Sequence, residues 1–176
     1  MRRISFIIIL VAVFFAGSNL IAQEYEYIGA MKCKMCHNKS TTGEQYNKWL
    51  AGPHAKAMEA LKSDKAKEIA KAKGIADPST DAKCVKCHAT TGYTDKKLQL
   101  TIKEEEGVSC ESCHGPGSVY KSMSIMKDPA KAMANGMIKP EEKVCKQCHN
   151  EESPTYKEFN YAEYSKKIAH PNPAKK

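Results

Sequence analysis

The sequence is poor in large apolar side chains. Without its first 22 residues, the chain of 176 has 154 left, and these contain only four Leu, seven Ile, four Val and one Phe. Such residues usually make up more than about a fifth of a folded domain. So few cannot offset the ordering entropy of a domain this size. A Rossmann sheet, a β-sandwich or an ordinary enzyme core is therefore not expected. Either the chain is unfolded, or something other than amino acids fills its centre.

Long apolar runs are also scarce, and the single one lies at the start of the chain. Met1-Arg2-Arg3 precedes the mostly apolar residues 4–16, and small residues lead to Ala22 before Gln23. This order predicts a secretory signal peptide over residues 1–22. An uncleaved membrane anchor is the alternative, but the run is shorter than the roughly 20 residues that span a bilayer. We therefore expect a periplasmic or otherwise exported domain at residues 23–176, with no permanent membrane span after cleavage.

The cysteines, in contrast, are plentiful, and all eight fall in one repeated pattern, Cys-x-x-Cys-His. The four copies, called motifs 1 to 4 below, are Cys33, Cys36 and His37; Cys84, Cys87 and His88; Cys110, Cys113 and His114; and Cys145, Cys148 and His149. The pattern is typical of c-type haem attachment, in which the thiols form thioethers and the histidine ligates the iron. Structural zinc, redox disulfides or iron–sulfur clusters do not explain the histidine in every copy. We therefore predict four covalently bound haem c groups.

Histidine is too scarce to fill the second axial position of every iron. The chain has six histidines, and only His54 and His170 lie outside the motifs. We expect these two to be distal ligands, so at most two haems have two histidine ligands from this chain. Met123 and Met126, on a predicted helix after motif 3, are candidate thioether ligands, although methionine also packs against porphyrin faces. The remaining positions go to another ligand, to a neighbouring molecule or to none.

The rest of the pattern predicts a mainly α-helical fold with long haem-wrapping loops. The predicted helices are Ala55–Lys73 before Gly74, one that begins at Asp128-Pro129 and stops at Gly136, and Tyr161–Ala169. Residues 97–102 alternate and predict a short strand or an extended loop. About 38 residues serve each haem, so each haem must be shared between segments. We expect a single multihaem cytochrome c domain whose core is the closely packed haems.

The formal net charge of +8 overstates the positive charge of the folded protein. Removing Arg2 and Arg3 leaves 26 basic and 20 acidic residues, and the haem propionates bring the total near neutrality. Binding to nucleic acid is therefore not expected. We expect the lysines to pair with propionates, to form a solvated face, or to present a docking patch to an acidic redox partner protein.

The residues around motif 3, Cys-Glu-Ser-Cys-His-Gly-Pro-Gly-Ser over positions 110–118, resemble the tetrahaem cytochrome c-554 family, related to the hydroxylamine oxidoreductase and nitrite reductase group. Residues 49–54 and 152–171 also fit, so the resemblance covers most of residues 27–173. It implies a periplasmic electron carrier whose haems are closely packed in partly stacked pairs. Most haems of such a carrier have two histidine ligands each, and the iron that matches motif 2 can be five-coordinate. His54 and His170 match its distal ligands. Tyr120 stands where relatives often have a histidine, which removes one distal ligand.

Three functions follow from these patterns. The first is electron relay between redox partners, since no acid–base constellation accompanies the haem motifs. The second, less favoured, is catalysis at an open iron on nitric oxide, hydroxylamine or nitrite, with Tyr93, Tyr120 or Lys86 nearby. The third is a subunit of a polymeric haem assembly, in which a neighbour supplies the missing histidine.

Overall fold

The computed structural model describes residues 24–173, so the predicted signal peptide lies outside the described residues. Short α-helices and 3-10 turns make up the described chain. The helices are α1 Ala30–His37, α2 Gln45–Ala51, α3 Ala57–Ala60, α4 Asp64–Ala72, α5 Ala82–His88, α6 Cys110–His114, α7 Met123–Met126, α8 Pro129–Ala134, α9 Glu142–Cys145 and α10 Tyr161–Ile168. The 3-10 turns are Ser40–Thr42, His54–Lys56, Thr90–Gly92, Lys96–Leu98 and Glu104–Glu106. Within residues 24–173 none of these elements is a strand, and the mainly α-helical fold is confirmed.

The prediction of one helix over Ala55–Lys73 is wrong, because the segment is divided into a 3-10 turn, α3 and α4. The division falls at Ser63, whose hydroxyl donates to the carbonyl of Ala60 at 2.7 Å and accepts from the N–H of Ala66 at 3.3 Å. A serine that caps the next turn in this way begins a new helix. Gly74, in the left-handed region at φ 67°, follows the end of α4 as expected.

The two later helices agree with the sequence. Asp128 caps α8 by accepting from the N–H groups of Ala130 and Lys131, and Asn160 caps α10 by accepting from the N–H of Glu163. Residues 97–102 form no strand. Lys97 and Leu98 belong to the 3-10 turn, and Gln99 then forms one isolated parallel bridge with Tyr27. Of the two predicted alternatives, the segment is therefore the extended loop.

The protein atoms alone build only a small apolar core. Met58 and Leu61 pack against Val85 and Ala89, which joins the α3 region to α5. The largest fully buried side chains are polar, namely Glu111, Thr90 and Ser109. This distribution matches the shortage of apolar residues and leaves the haems to supply the rest of the core.

A buried carboxylate ties the start of the described chain to motif 3. Glu111 is only 1% exposed. Its carboxylate accepts hydrogen bonds from the backbone N–H groups of Ile28 at 3.0 Å, Gly29 at 2.7 Å and Gly117 at 2.6 Å. Burial raises the pKa of Glu111, and these three donors act in the opposite direction. Because Ile28 and Gly29 lead directly into α1, the carboxylate places motif 1 beside motif 3.

Candidate metal centres

Each motif places its two cysteines and its histidine on one side of a helical turn. Helices α1, α5 and α6 end at His37, His88 and His114, whereas α9 ends at Cys145 and a turn carries Cys148 and His149. In helical backbone, residues three and four positions apart lie on the same face. The first cysteine, the second cysteine and the histidine therefore share a face, as attachment and ligation of one haem require.

The four motifs lie next to one another in a row that differs from their order in the sequence. Helix α1 packs beside α6, and the thiol of Cys33 raises the pKa of Cys110, so motifs 1 and 3 are neighbours. The thiol of Cys87 likewise contributes to the raised pKa of Cys148, so motif 2 lies near motif 4. Cys113 of motif 3 lies within electrostatic range of motif 4. Ordered by these cysteine neighbours, the motifs form a row that runs motif 1, motif 3, motif 4, motif 2.

One predicted attachment residue, Cys36 of motif 1, differs from the other seven motif cysteines. Cys36 is exposed to solvent, whereas the other seven are half-buried. Cys33, one turn earlier on α1, lies near Cys110 of motif 3. Attachment of haem by Cys36, as by the other seven motif cysteines, stays a prediction.

The two histidines outside the motifs each face a motif histidine. The ring centres of His54 and His149 are 6.1 Å apart, and those of His114 and His170 are 6.0 Å apart. The ring planes are inclined by 71° in both pairs. Metal–imidazole bonds of about 2 Å place the centres of two rings on opposite sides of one ion about 6 Å apart. Both pairs thus fit an iron between two imidazoles.

Three contacts fix the position of His54. Its carbonyl accepts from the N–H of Val108 at 3.0 Å, and the carbonyl of Val108 accepts from the indole N–H of Trp49 at 2.8 Å. Gly107 lies beside the carbonyl of His54 with φ 65°, and a Cβ on this glycine would lie 2.7 Å from the carbonyl oxygen. The glycine is needed both for its backbone conformation and for the close approach.

Hydrogen bonds orient two other imidazoles. Nδ1 of His88 lies 2.6 Å from the carbonyl oxygen of Ala57, and Nδ1 of His170 lies 2.8 Å from that of Ile168. A carbonyl oxygen only accepts, so Nδ1 donates in both cases. In the neutral form of such a ring, the other nitrogen, Nε2, carries no proton and is able to bind a metal.

Burial favours the neutral form that binds metals in three of the paired histidines, His54, His149 and His114. It lowers the pKa of His54, with a further contribution from His149, and it lowers the pKa of His149 as well. Burial, together with His170, lowers the pKa of His114 to about 4. Because metal binding requires an unprotonated imidazole, these rings are ready to ligate at neutral pH.

Motifs 2 and 4 line one cavity of about 1340 Å³. Small-molecule pockets usually have about 300–1,000 Å³, so this cavity suits a larger occupant. Both cysteines and the histidine of each motif line it, together with His54. Its six lysines are Lys65, Lys73, Lys83, Lys86, Lys157 and Lys167. The donor set, the size and the positive lining all fit haem with its anionic propionates.

The chain is similar to known proteins in both sequence and structure. Residues 32–115 match the family model for cytochrome c554 and c-prime. The chain is 36% identical over 151 residues to cytochrome c-554 of Nitrosomonas europaea; the match covers 73% of this chain and 60% of that protein. The solved structure of reduced cytochrome c554 from Nitrosomonas europaea matches 82% of this chain and 79% of that one, with a TM-score of 0.51 and 27% identity.

The chain belongs to the cytochrome c-554 family. The resemblance read from motif 3 is confirmed, and so is the prediction of four covalently bound haem c groups. The protein is a multihaem c-type cytochrome. Within residues 24–173 the structure contains no helix long and apolar enough to cross a bilayer.

The cytochrome does not gather all of the candidate ligands into one place. Met123 and Met126 lie on α7 as predicted, but Met123 is 58% exposed and neither methionine lines the large cavity.

Nδ1 of His37 lies 3.4 Å from Oε1 of Gln45. The glutamine thus helps to orient the imidazole of motif 1.

The residues named for a catalytic site are divided between two regions. Tyr93 and Lys86 line the large cavity, where Lys86 forms a salt bridge with Glu152. Tyr120 is 5% exposed and donates its hydroxyl proton to the carbonyl of Gly115 at 2.8 Å. The phenol therefore fills a buried place at motif 3 rather than opening into the cavity.

Sequence reasoning missed two residues that position the cytochrome's metal centres. Glu111 occupies one of the variable positions between the cysteines of motif 3, where the motif gives no signal. Phe159 stacks on His149 with 4.8 Å between ring centres and 20° between planes. It is the only phenylalanine after residue 22, and this rarity was a signal that could have drawn attention to it.

Proposed function

We propose that the protein is an exported electron carrier that relays electrons between redox partner proteins along the row of motifs 1, 3, 4 and 2. The closeness of cysteines from different motifs is the observation that carries this proposal. A bound haem would be attached through its edge to these sulfurs, so motifs that lie near each other would hold their haems near each other. Electron tunnelling falls steeply with the distance between such edges, and the row therefore supports rapid exchange.

In this proposal the eight motif cysteines, including the exposed Cys36, attach the haems, and the four motif histidines are proximal ligands. His54 is the distal ligand opposite His149, and His170 is the distal ligand opposite His114. Bound haem supplies a one-electron iron couple at each motif. Two fixed imidazoles suit electron transfer, because the same ligands stay in place in both oxidation states and little must move.

The surface charge supports partners that are acidic. The lysines around the large cavity, between motifs 2 and 4, offset haem propionates, and those left over attract a protein of opposite charge. Export rests on the pattern of residues 1–22. Covalent haem attachment supports it further, since that chemistry belongs outside the cytoplasm.

The proposal is tested on full-length chain produced in a host that attaches haem c. Mass spectrometry should find a chain that begins at Gln23 and carries four haems of about 0.6 kDa each. A reductive titration should take up four electrons. Rapid-freeze spectra after partial reduction should show that electrons distribute over all four haems within the dead time.

Two cysteine variants test the order of the row. Replacing Cys145 and Cys148 by alanine removes the haem of motif 4 from inside the row, and motif 2 should then equilibrate slowly with motifs 1 and 3. Replacing Cys84 and Cys87 removes the terminal haem, and the other three should still equilibrate as fast as before. Equally fast equilibration in both variants would contradict the proposed order.

One observation favours a second candidate, catalysis at an open iron of motif 2. The cavity contains His88, His54 and His149, but the latter two face each other. Among the described residues that line it, no further histidine or methionine stands opposite His88. A high-spin ferric signal that disappears on adding cyanide would support this candidate. Low-spin signals from all four irons would argue against it.

A further inference from the structure

A stack of aromatic rings leads from His149 to the protein surface. Phe159 lies over the imidazole of His149, with 4.8 Å between ring centres and 20° between planes. Tyr164 of α10 continues the stack, 5.4 Å from Phe159 and inclined by 18°. The ammonium of Lys167 lies 4.5 Å from the centre of the Tyr164 ring. These separations are those of favourable aromatic and cation–π contacts.

The stack takes the place of a hydrogen bond on His149. A metal-bound histidine normally donates its second ring nitrogen to a carbonyl or carboxylate, which fixes the plane of the ring. His88 and His170 make such bonds to backbone carbonyls. In the part of the chain that the structure describes, the side chain of His149 makes no hydrogen bond, and the face of Phe159 is what limits its rotation.

The plane of His149 matters because of the ring opposite to it. The planes of His149 and His54 are inclined by 71°. Two parallel imidazoles on a low-spin ferric haem split the iron orbitals that bond to their π systems, whereas two nearly perpendicular imidazoles leave these orbitals almost equal in energy. The angle between the rings therefore sets the magnetic anisotropy of the iron, which electron paramagnetic resonance measures.

We propose that Phe159 is a positioning residue that holds the imidazole of His149 nearly perpendicular to that of His54. This inference rests on the proposed ligation of one iron by these two histidines. Tyr164 packs on the far face of Phe159, and Lys167 lies over the ring of Tyr164. Segment 159–170 thereby serves two haems, because it also carries His170 to motif 3.

The test compares paramagnetic resonance spectra of the oxidised holoprotein and two variants. In the wild type, both histidine pairs are inclined by 71°, so two strongly anisotropic low-spin signals are expected, each dominated by one large g value. Phe159→Leu removes the flat ring and should convert one of the two signals into a rhombic signal with three resolved g values. Phe159→Tyr retains the ring and should leave both signals unchanged.

The second pair is an internal control, because His114 and His170 have no aromatic ring stacked on them among the described residues. Loss of one signal in Phe159→Leu with retention of the other supports the inference. Two unchanged signals, or equal loss of both, would overturn it. High-spin signals from the irons at motifs 3 and 4 of the wild type would instead refute the proposed ligation itself, whereas rhombic low-spin signals from both would leave the ligation intact and overturn the inference. The two failures are therefore distinguishable.

Discussion

Replacing Glu111 by glutamine should strongly destabilise the folded cytochrome, although the two side chains have nearly the same size. The carboxylate accepts three backbone N–H groups, with Oε2 close to Gly29, Oε1 close to Gly117, and both oxygens 3.0 Å from the N–H of Ile28. Glutamine offers one oxygen and one NH₂ group. At least one backbone N–H then faces another donor inside the protein.

The expected cost follows from the number of donors that lose their acceptor. A hydrogen bond to a charged group contributes about 1.5–3 kcal/mol, and a buried donor without a partner costs about 1–3 kcal/mol. For Glu111→Gln, which affects one donor fully, we expect a loss of about 2–4 kcal/mol in the free energy of unfolding. Alanine would affect all three donors and approach the whole stability of a typical domain, about 5–15 kcal/mol. Glutamine is therefore the variant to measure.

Guanidinium unfolding of the oxidised holoprotein, followed by far-ultraviolet circular dichroism, measures this loss as a lower midpoint at unchanged slope. Glu104→Gln is the matched control, because Glu104 is exposed on the neighbouring 3-10 turn. It should change the free energy by less than about 0.5 kcal/mol. If Glu111→Gln were as mild as this control, the carboxylate would not hold motifs 1 and 3 together.

Three further predictions concern the metal centres and the core. His170→Ala should convert one low-spin ferric signal, that of the iron bound to His114, into a high-spin signal that added imidazole restores; an unchanged spectrum would exclude His170 as a ligand. Gly107→Ala should cost about 2–4 kcal/mol by denaturant unfolding, because its Cβ would lie 2.7 Å from the carbonyl oxygen of His54. Gly74→Ala, which has a similar φ but no atom within 4 Å, should cost only about 1 kcal/mol; equal losses would show that crowding at His54 is unimportant. Chain produced without haem attachment should give the circular dichroism of an unfolded protein, because the apolar residues alone cannot balance the ordering entropy; a native-like spectrum would refute that reasoning.

The local elements were predictable where a nearby side chain decides them. Asp128 followed by Pro129 begins α8, because the aspartate satisfies N–H groups only two and three residues ahead. The predicted single helix before Gly74 was wrong for a reason equally local. Ser63 caps a new helix, and apolar periodicity, which continues across the break, does not reveal it.

The sequence by itself determined the cofactor and its number, since Cys-x-x-Cys-His brings two thiols and an imidazole together within five residues, whatever the rest of the chain does. Only the tertiary structure decided which motifs are neighbours and which histidines face each other. His54 meets His149 from 95 residues away, held by Val108 and Gly107. Glu111 and Phe159 act through contacts that no spacing encodes. Pairings over such distances depend on how the whole chain packs around its haems, and a local pattern carries no record of that packing.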